Sequence, residues 1–413
     1  MRWIKNFLRV LNALLAFLLS IGYRFLFFWQ TNKGDCKRVL NFGADLYALS
    51  RKGNLNHVWS LYNPQGIYEK VFAVCLDPRS LHVPIKQPWL VPVLVSRFFW
   101  LEFLQLAVLC RQQQIGMLRC RGPETAFMGL CLKIALGVPI VLSTGGNHRL
   151  AQDLQGYYPF GSRWLTFLIE SMAYRYADLI FCINRYTRRL IGELGGDVHN
   201  VLVDIPIRID TEIFDRARFD AQLIRRRENI HDRTRVVLFV GRLERDKEVD
   251  DFFRAIPLIL ERFPNTVFYV VGEGSLRGML EDMATRGGFL DKVVFEGFVS
   301  NEKLPEYYSL AHVVCIPVSG FVIFEAAAMQ KPVVAFDVDW HSEFIEDGVT
   351  GFLVPNKDVE AMARKVVEFL RNDDLSERLA ANAHKKFVEE YDPQTSVRKE
   401  AVAITNYCQG LSR

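Results

Sequence analysis

The residues able to do chemistry stand at the ends of short apolar runs. Arg242 and Lys247 follow V-V-L-F-V-G, Gly272 and Gly274 follow V-F-Y-V-V, and Glu325 opens E-A-A-A-M after V-V-C-I-P-V. Two fixed cations beside glycine-lined turns suit a diphosphate, because charge-assisted hydrogen bonds hold its oxygens better than neutral ones do. A carboxylate at a helix start suits the hydroxyls of a sugar or ribose. The plain structural alternatives are a surface ion pair of either cation with Glu244 or Asp246, and a carboxylate that merely favours the helix dipole at Glu325. No D-x-D pair stands where it would bind a divalent metal at these positions.

The elements that must position these residues are short strands alternating with helical stretches between Val236 and Pro355, each strand closing at Gly, Pro or a charged pair. That rhythm implies an α/β fold with a parallel sheet, whose ligands sit beyond the carboxyl ends of the strands. A similar rhythm over residues 37–205 predicts strands at Arg38–Phe42, Val71–Leu76, Gly116–Cys120, Pro139–Ser143, Leu179–Ile183 and Asn200–Asp204, with helices that include Glu124–Leu136 and Arg163–Tyr176. Residues 89–110 form an aromatic-rich stretch with Arg97 and Glu102, read as ordinary strand-and-helix packing or as a helix that docks on lipid. A chain of 413 residues exceeds one ordinary core and fits two α/β domains plus extras. The expected organisation is a membrane-associated helix over 1–34, a first domain over 35–214, a linker over 215–235, a second domain over 236–385, and a C-terminal helix over 386–413 that crosses back onto the first domain. The run Arg225, Arg226, Arg227 in the expected linker reads as a solvated helix face.

Composition narrows the partners. The formal charge is only +4, and no long basic tract interleaved with aromatics lies beyond the N-terminus, so nucleic acid is not expected. The eight cysteines form no C-x-x-C pair and read as buried, reduced thiols of a cytoplasmic enzyme. Residues 1–34 contain no acid and carry Arg2, Lys5, Arg9, Arg24 and Lys33 around V-L-N-A-L-L-A-F-L-L-S-I-G-Y. On a helix, Arg2, Lys5, Arg9, Asn12, Ala16, Ser20 and Arg24 form one narrow polar or small stripe. An in-plane interfacial helix has this pattern. A spanning anchor needs about 20 apolar residues and would require Arg24 to snorkel. A soluble core helix is a further reading; a signal peptide is disfavoured because no small-x-small site follows the apolar core.

The second half resembles the retaining, nucleotide-sugar-dependent glycosyltransferases of family 4 (group 1), which have two facing Rossmann-like domains, the GT-B fold. The resemblance rests on G-R-L-x-x-x-K at Gly241–Lys247, V-G-E-G at Val271–Gly274, E-A-A-A-M…P-V-V at Glu325–Val334 and E-D-G-V-T-G-F-L-V-P at Glu346–Pro355. The first half agrees more weakly, through G-V-P-I-V-L-S-T-G-G at Gly137–Gly146, A-Y-R-Y-A-D-L-I-F-C-I-N-R-Y at Ala173–Tyr186 and I-P-I-R-I-D-T-E-I-F at Ile205–Phe214. The resemblance implies that Arg242 and Lys247 hold the diphosphate and stabilise the departing nucleotide, with no cofactor and no metal. It implies Glu325 on the ribose, and Gly241, Gly272, Gly274, Phe298, Gly320 and Phe321 around the donor. The acceptor would be lipid-linked or a glycan, reached from catalytic domains on the cytoplasmic side of a membrane surface.

Several positions depart from the family pattern. Pro317 stands where a second acid is common, eight residues before Glu325, and the loop Val318–Val322 is short. Asp339–Trp340 replaces a Gly-Gly, and Gln330 stands near an expected small residue. Gly145 replaces the family's first-domain His, with His148 and Arg149 nearby as substitutes; a lone His is also often structural. These departures keep two alternatives open: a non-catalytic partner subunit, and a nucleotide-sugar epimerase of similar shape.

Overall fold

The valine-rich runs become the strands of two separate parallel sheets. The computed structural model describes residues 2–26, 34–42, 46, 62–83, 85–96, 98–145, 148–156, 158–202, 209–318 and 321–411. They divide into two compact units, one made of Met1–Ile205 with Gln394–Arg413, the other of Pro206–Pro393.

The first unit runs α1 (Arg2–Leu26), β1 (Asp35–Asn41), β2 (Lys70–Cys75), β3 (Leu90–Leu94), α2 (Phe99–Gln112), β4 (Ile115–Arg121), α3 (Pro123–Leu136), β5 (Ile140–Thr144), α4 (His148–Gln155), α5 (Arg163–Tyr176), β6 (Leu179–Cys182), α6 (Arg185–Glu193) and β7 (Val201–Leu202). Its seven strands lie in the order β3-β2-β1-β4-β5-β6-β7 and pair in parallel. The sheet is covered on both faces, so its strands are apolar throughout rather than alternating. Val39, Met117, Val141 and Phe181 pack on one side; Leu40, Leu118, Leu142 and Ile180 pack on the other. The aromatic-rich stretch resolves into an edge strand and a helix. Pro92 is tolerated in β3 because an edge strand has one unpaired side.

The second unit runs α7 (Ala221–Arg227), β8 (Arg235–Val240), α8 (Val249–Arg262), β9 (Thr266–Val271), α9 (Arg277–Arg286), β10 (Val293–Gly297), α10 (Leu304–Leu310), β11 (Val313–Ile316), α11 (Val322–Ala328), β12 (Val333–Phe336), α12 (His341–Phe344), β13 (Phe352–Val354), α13 (Val359–Arg371) and α14 (Asp373–Glu390). Its six parallel strands take the order β10-β9-β8-β11-β12-β13. The order reverses between β8 and β11, which opens a crevice at their carboxyl ends.

The stretch 215–235 differs from the sequence expectation. The expected linker 215–235 is folded: Asp220 caps α7 through the amides of Gln222 and Leu223. Arg225 is not on a solvated face but buried, and its guanidinium donates to the carbonyls of His231 (2.7 Å) and Thr234 (2.8 Å). Three arginines in a row conceal this, because only one of the three points inward. The last helix, α15 (Pro393–Leu411), belongs to the first unit. There Glu400 forms a buried ion pair with Arg119 of β4, whose guanidinium also donates to the carbonyl of Tyr62.

Helix α1 turns its small stripe toward the protein and its leucines outward. The small stripe of Ala13, Ala16 and Ser20 is buried against α2 and α3, and Tyr23 packs edge-on to Phe103 at 6.0 Å. The leucines Leu8, Leu11, Leu14, Leu15 and Leu18 point outward and are exposed. Small side chains let the helix approach its neighbours closely, so they win the inward face although leucine is more hydrophobic. Among the described residues, no helix is long and apolar enough to cross a membrane.

Candidate active site

All the second-unit candidates come off the carboxyl edge of one sheet. Arg242 and Lys247 follow β8, Gly272 and Gly274 follow β9, Phe298 follows β10, and Glu325 lies in α11, the helix after β11. Because β8 and β11 are neighbours at the switch point, the cations and the carboxylate are brought to the same crevice. Gly320 lies outside the described residues.

The two cations share one partner. Arg242 Nη2 stands 2.7 Å and Lys247 Nζ 3.8 Å from Asp246 Oδ2. The ion pair anticipated as an alternative is therefore present, with Asp246 rather than Glu244. Asp246 is nearly buried, while Arg242 is 57% exposed. Two cations on one carboxylate leave a net positive charge. Burial lowers the pKa of Lys247, the neighbouring Arg242 cation lowers it further, and Asp246 and Asp339 oppose the shift. Glu244 is used elsewhere: it accepts from the Ser275 amide (2.8 Å) and hydroxyl (2.7 Å), tying the β8 loop to the β9 loop.

The glycines are required by that loop contact. Gly272 has φ +142°, and a Cβ on it would lie 1.8 Å from the Gly241 carbonyl oxygen. A Cβ on Gly274 would lie 2.3 Å from the Leu243 carbonyl oxygen. Only glycine lets the two backbones approach this closely. The amides of Gly241 and Leu243 are already bonded, to the carbonyls of Val271 and Glu273.

Glu325 is partly covered, and its Oε2 accepts a 2.6 Å hydrogen bond from the Tyr308 hydroxyl. Desolvation raises its pKa to about 7, against which the Tyr308 bond acts. Tyr308 itself is fully buried against Phe214, and sequence reasoning did not single it out. Its signal was available: a Tyr at the end of the helix that precedes β11. Phe298, after the edge strand β10, and Phe321, just before α11, are both more than half exposed, unusual for phenylalanine and suited to stacking on a ring.

The departures from the family pattern are partly explained by packing. Trp340 is buried and stacks on Phe324 at 5.3 Å. Asp339 and Gln330 both take positive φ, at 51° each, conformations a small residue adopts with less strain. Gln330 Oε1 accepts from Arg216 Nη1 at 3.0 Å.

In the first unit the candidate His148 begins α4, just past the carboxyl end of β5. Its Nε2 is 3.1 Å from Thr144 Oγ1, and its Nδ1 is 3.6 Å from Glu124 Oε1. Glu124 stands in the first turn of α3, after β4, and also accepts from Gln152 at 3.2 Å. Burial pushes its pKa up, yet the hydrogen bond and charge of His148 outweigh that, and the pKa is lowered. Thr144 continues the chain of contacts to Tyr174 and Glu170. Arg149, the other substitute considered, is committed to structure: it bonds Glu170 (2.7 Å), the Phe167 carbonyl and Ser171, and lies over the Phe167 ring. Among the described residues no cluster of three or more His, Cys, Asp or Glu could hold a metal ion.

Comparison with known proteins fits this geometry. Residues 220–386 match the family model for glycosyl transferases group 1. The chain is 36% identical to an alpha-D-kanosaminyltransferase of Streptomyces kanamyceticus over 275 residues, covering 64% of this chain and 70% of that protein. It is 29% identical to a GDP-mannose-dependent alpha-(1-6)-phosphatidylinositol monomannoside mannosyltransferase of Mycolicibacterium smegmatis over 262 residues, 60% of this chain and 67% of that one. Among solved structures, HepE of Anabaena in complex with UDP and glucose superposes with a TM-score of 0.73 at 17% identity, over 89% of this chain and 99% of that one. Sucrose-phosphate synthase from Thermosynechococcus elongatus gives 0.77 at 17% identity, over 91% and 99%. The two Rossmann-like sheets are those of the GT-B fold, and the chain belongs to the group 1 glycosyl transferases as a nucleotide-sugar-dependent enzyme.

Proposed function

We propose that the enzyme transfers a sugar, with retention at the anomeric carbon, from a nucleoside diphosphate donor to a lipid-linked acceptor at a membrane surface. The observation that carries the donor half is the Arg242–Lys247 pair, held by one shared Asp246 at the switch point of the sheet. On arrival of a diphosphate, Arg242 exchanges Asp246 for phosphate oxygens. Lys247 then neutralises charge as the sugar–phosphate bond breaks, which is preorganised electrostatic catalysis. On this reading no metal or cofactor is needed to carry away the leaving group. Glu325 Oε1 accepts from the ribose, Phe298 and Phe321 bound the donor, and His148, aligned by Glu124 and Thr144, serves the acceptor.

Two observations support a membrane acceptor: the exposed leucine row of α1, and the similar mannosyltransferase, whose named acceptor is a phosphatidylinositol mannoside. A nucleotide-sugar donor and cysteines that are mostly buried support a cytoplasmic placement of both units.

Replacing Arg242 or Lys247 by Ala is expected to lower turnover by about 10²–10³-fold each, the cost of removing one preorganised donor. Folding is expected to survive, since neither side chain is in the core. Turnover by the double variant within a few-fold of wild type would defeat the assignment. NMR of the product anomer decides retention.

A further inference from the structure

The helix layer formed by α1, α2, α3 and α5 carries more apolar surface than its own packing uses. The leucines at 8, 11, 14, 15 and 18 make one exposed row on α1, and Leu104, Val108, Trp164 and Leu168 add to it from α2 and α5. Contiguous exposed apolar surface of this kind marks an interaction site. Beside the row, α1, α3 and α5 enclose a groove of about 380 Å³, with Leu14, Phe17, Leu130, Leu168 and Met172 in its walls and Trp164 beside its mouth. Its polar atoms are few. The Ser162 hydroxyl already accepts from the Leu165 amide as the cap of α5, which leaves the Trp164 indole N–H. A polar ligand would lose its hydrogen bonds to water here without replacing them.

Charge selects the occupant. Helix α1 contains no acid, and α2, α3 and α5 contain one each: Glu102, Glu124 and Glu170. Glu102 and Glu170 are buried, and Glu124 sits at the site end of α3. The same four helices carry Arg2, Lys5, Arg9, Arg24, Arg111, Lys133, Arg163 and Arg175. Lys133 and Arg163 are matched by Asp178 and Asp153, and Arg111 lies over the Tyr23 ring, so the positive excess rests mainly on the cations of α1 and on Arg175. A basic layer with an apolar outer row complements an anionic bilayer, where burial and electrostatic attraction act together. A second copy of this chain would bring like charge against like.

We propose that this layer docks on an anionic bilayer and that the groove between α1, α3 and α5 admits one hydrocarbon chain of a membrane lipid. This rests on the membrane reading given above and deepens it, since it assigns the docking face and a lipid subsite. Trp164, 73% exposed at the groove mouth, then lies at the level of the headgroups, where an amphipathic ring is favoured.

The test uses the full chain and vesicles of phosphatidylcholine with phosphatidylglycerol. Wild type is expected to co-sediment. Leu168→Gln with Met172→Gln places amides in the groove and is expected to lower the partition coefficient at least tenfold. Met172→Trp keeps the surface apolar but fills the groove; it too is expected to weaken binding and to reduce quenching of Trp164 by lipids brominated in their chains, read against Trp164→Phe. Folding of each variant is checked by its far-ultraviolet spectrum and melting temperature. If Met172→Trp binds and is quenched like the parent, the groove holds no lipid chain, while the membrane reading stands. If wild type fails to sediment, both fail. If wild type is a dimer that the Gln variant dissociates, a second copy fills the groove and the proposal is overturned.

Discussion

The proposed ribose contact of Glu325 makes donor binding depend on pH in a way that can be worked out in advance. Its carboxyl titrates near 7, raised from the usual 4.5 by desolvation. If the ribose donates to Oε1, binding needs the carboxylate. The ionised fraction is then about nine-tenths at pH 8 and about one-tenth at pH 6, so affinity for a nucleoside diphosphate is expected to fall roughly tenfold between them. The ligand's own terminal phosphate also protonates, with a pKa near 6. The Glu325→Gln variant isolates that contribution, because its amide does not titrate. The Tyr308 hydroxyl bonds the charged form, and such bonds contribute about 1.5–3 kcal/mol. Tyr308→Phe is therefore expected to move the midpoint up by about 1–2 pH units. Stability has the opposite sign. The folded chain holds this proton between about pH 4.5 and 7, where the unfolded chain has released it, so stability falls as pH rises through that window. The loss is on the order of 3 kcal/mol at most. Calorimetric titration of a nucleoside diphosphate from pH 6 to pH 8 is the assay. Parallel profiles for wild type and Glu325→Gln would refute the ribose contact and leave Glu325 a structural partner of Tyr308.

Three further outcomes follow from the geometry. Glu400→Gln leaves Arg119 buried without its counter-charge and is expected to destabilise the first unit by about 3–5 kcal/mol, whereas Arg119→Met with Glu400→Leu should lose much less; denaturant melts of both variants distinguish a buried pair from an incidental contact. Gly272→Ala forces a methyl group against the Gly241 carbonyl and is expected to lower the melting temperature and weaken diphosphate binding together; a variant that melts like the parent would show that the two loops are not fixed. His148→Ala is expected to cut transfer to the acceptor while leaving diphosphate affinity unchanged, and Glu124→Gln should do so to a lesser degree; equal loss of donor affinity would make His148 structural.

Strand positions of the second unit, and the placement of its candidate residues after the strand ends, were legible because each valine-rich run ends at a residue with a distinct backbone or charge role. The glycines were legible as close-approach positions, but which backbone approaches which was not, since Gly272 meets Gly241 across sheet neighbours. Asp246 as the shared anchor was harder to see, because Glu244 stands equally near in sequence and turns instead to Ser275. The arginine run of 215–235 was misjudged, because Arg225 is buried. In α1 and in 215–235, composition reported what was present but not which side faced inward. Close packing of alanines set the inward face of α1, and three carbonyls close to one guanidinium drew Arg225 inside.

The chain order of the Arg119–Glu400 pair has a consequence for synthesis. The first unit is discontinuous: its sheet is encoded before residue 206 and its closing helix after residue 393. A ribosome therefore finishes the whole of the second unit before it makes Glu400. Domains generally fold as units, the earlier first, at about 5–20 residues per second of elongation. Here the earlier sheet lacks its closing helix, and Arg119 its Glu400 partner, until the later, contiguous unit has been made. A premature stop just beyond Pro393 would spare the sheet of the second unit and remove the closing helix of the first. The nascent chain meanwhile carries an exposed row of leucines, which gives a chaperone or a nearby bilayer time to engage α1 before the protein is complete.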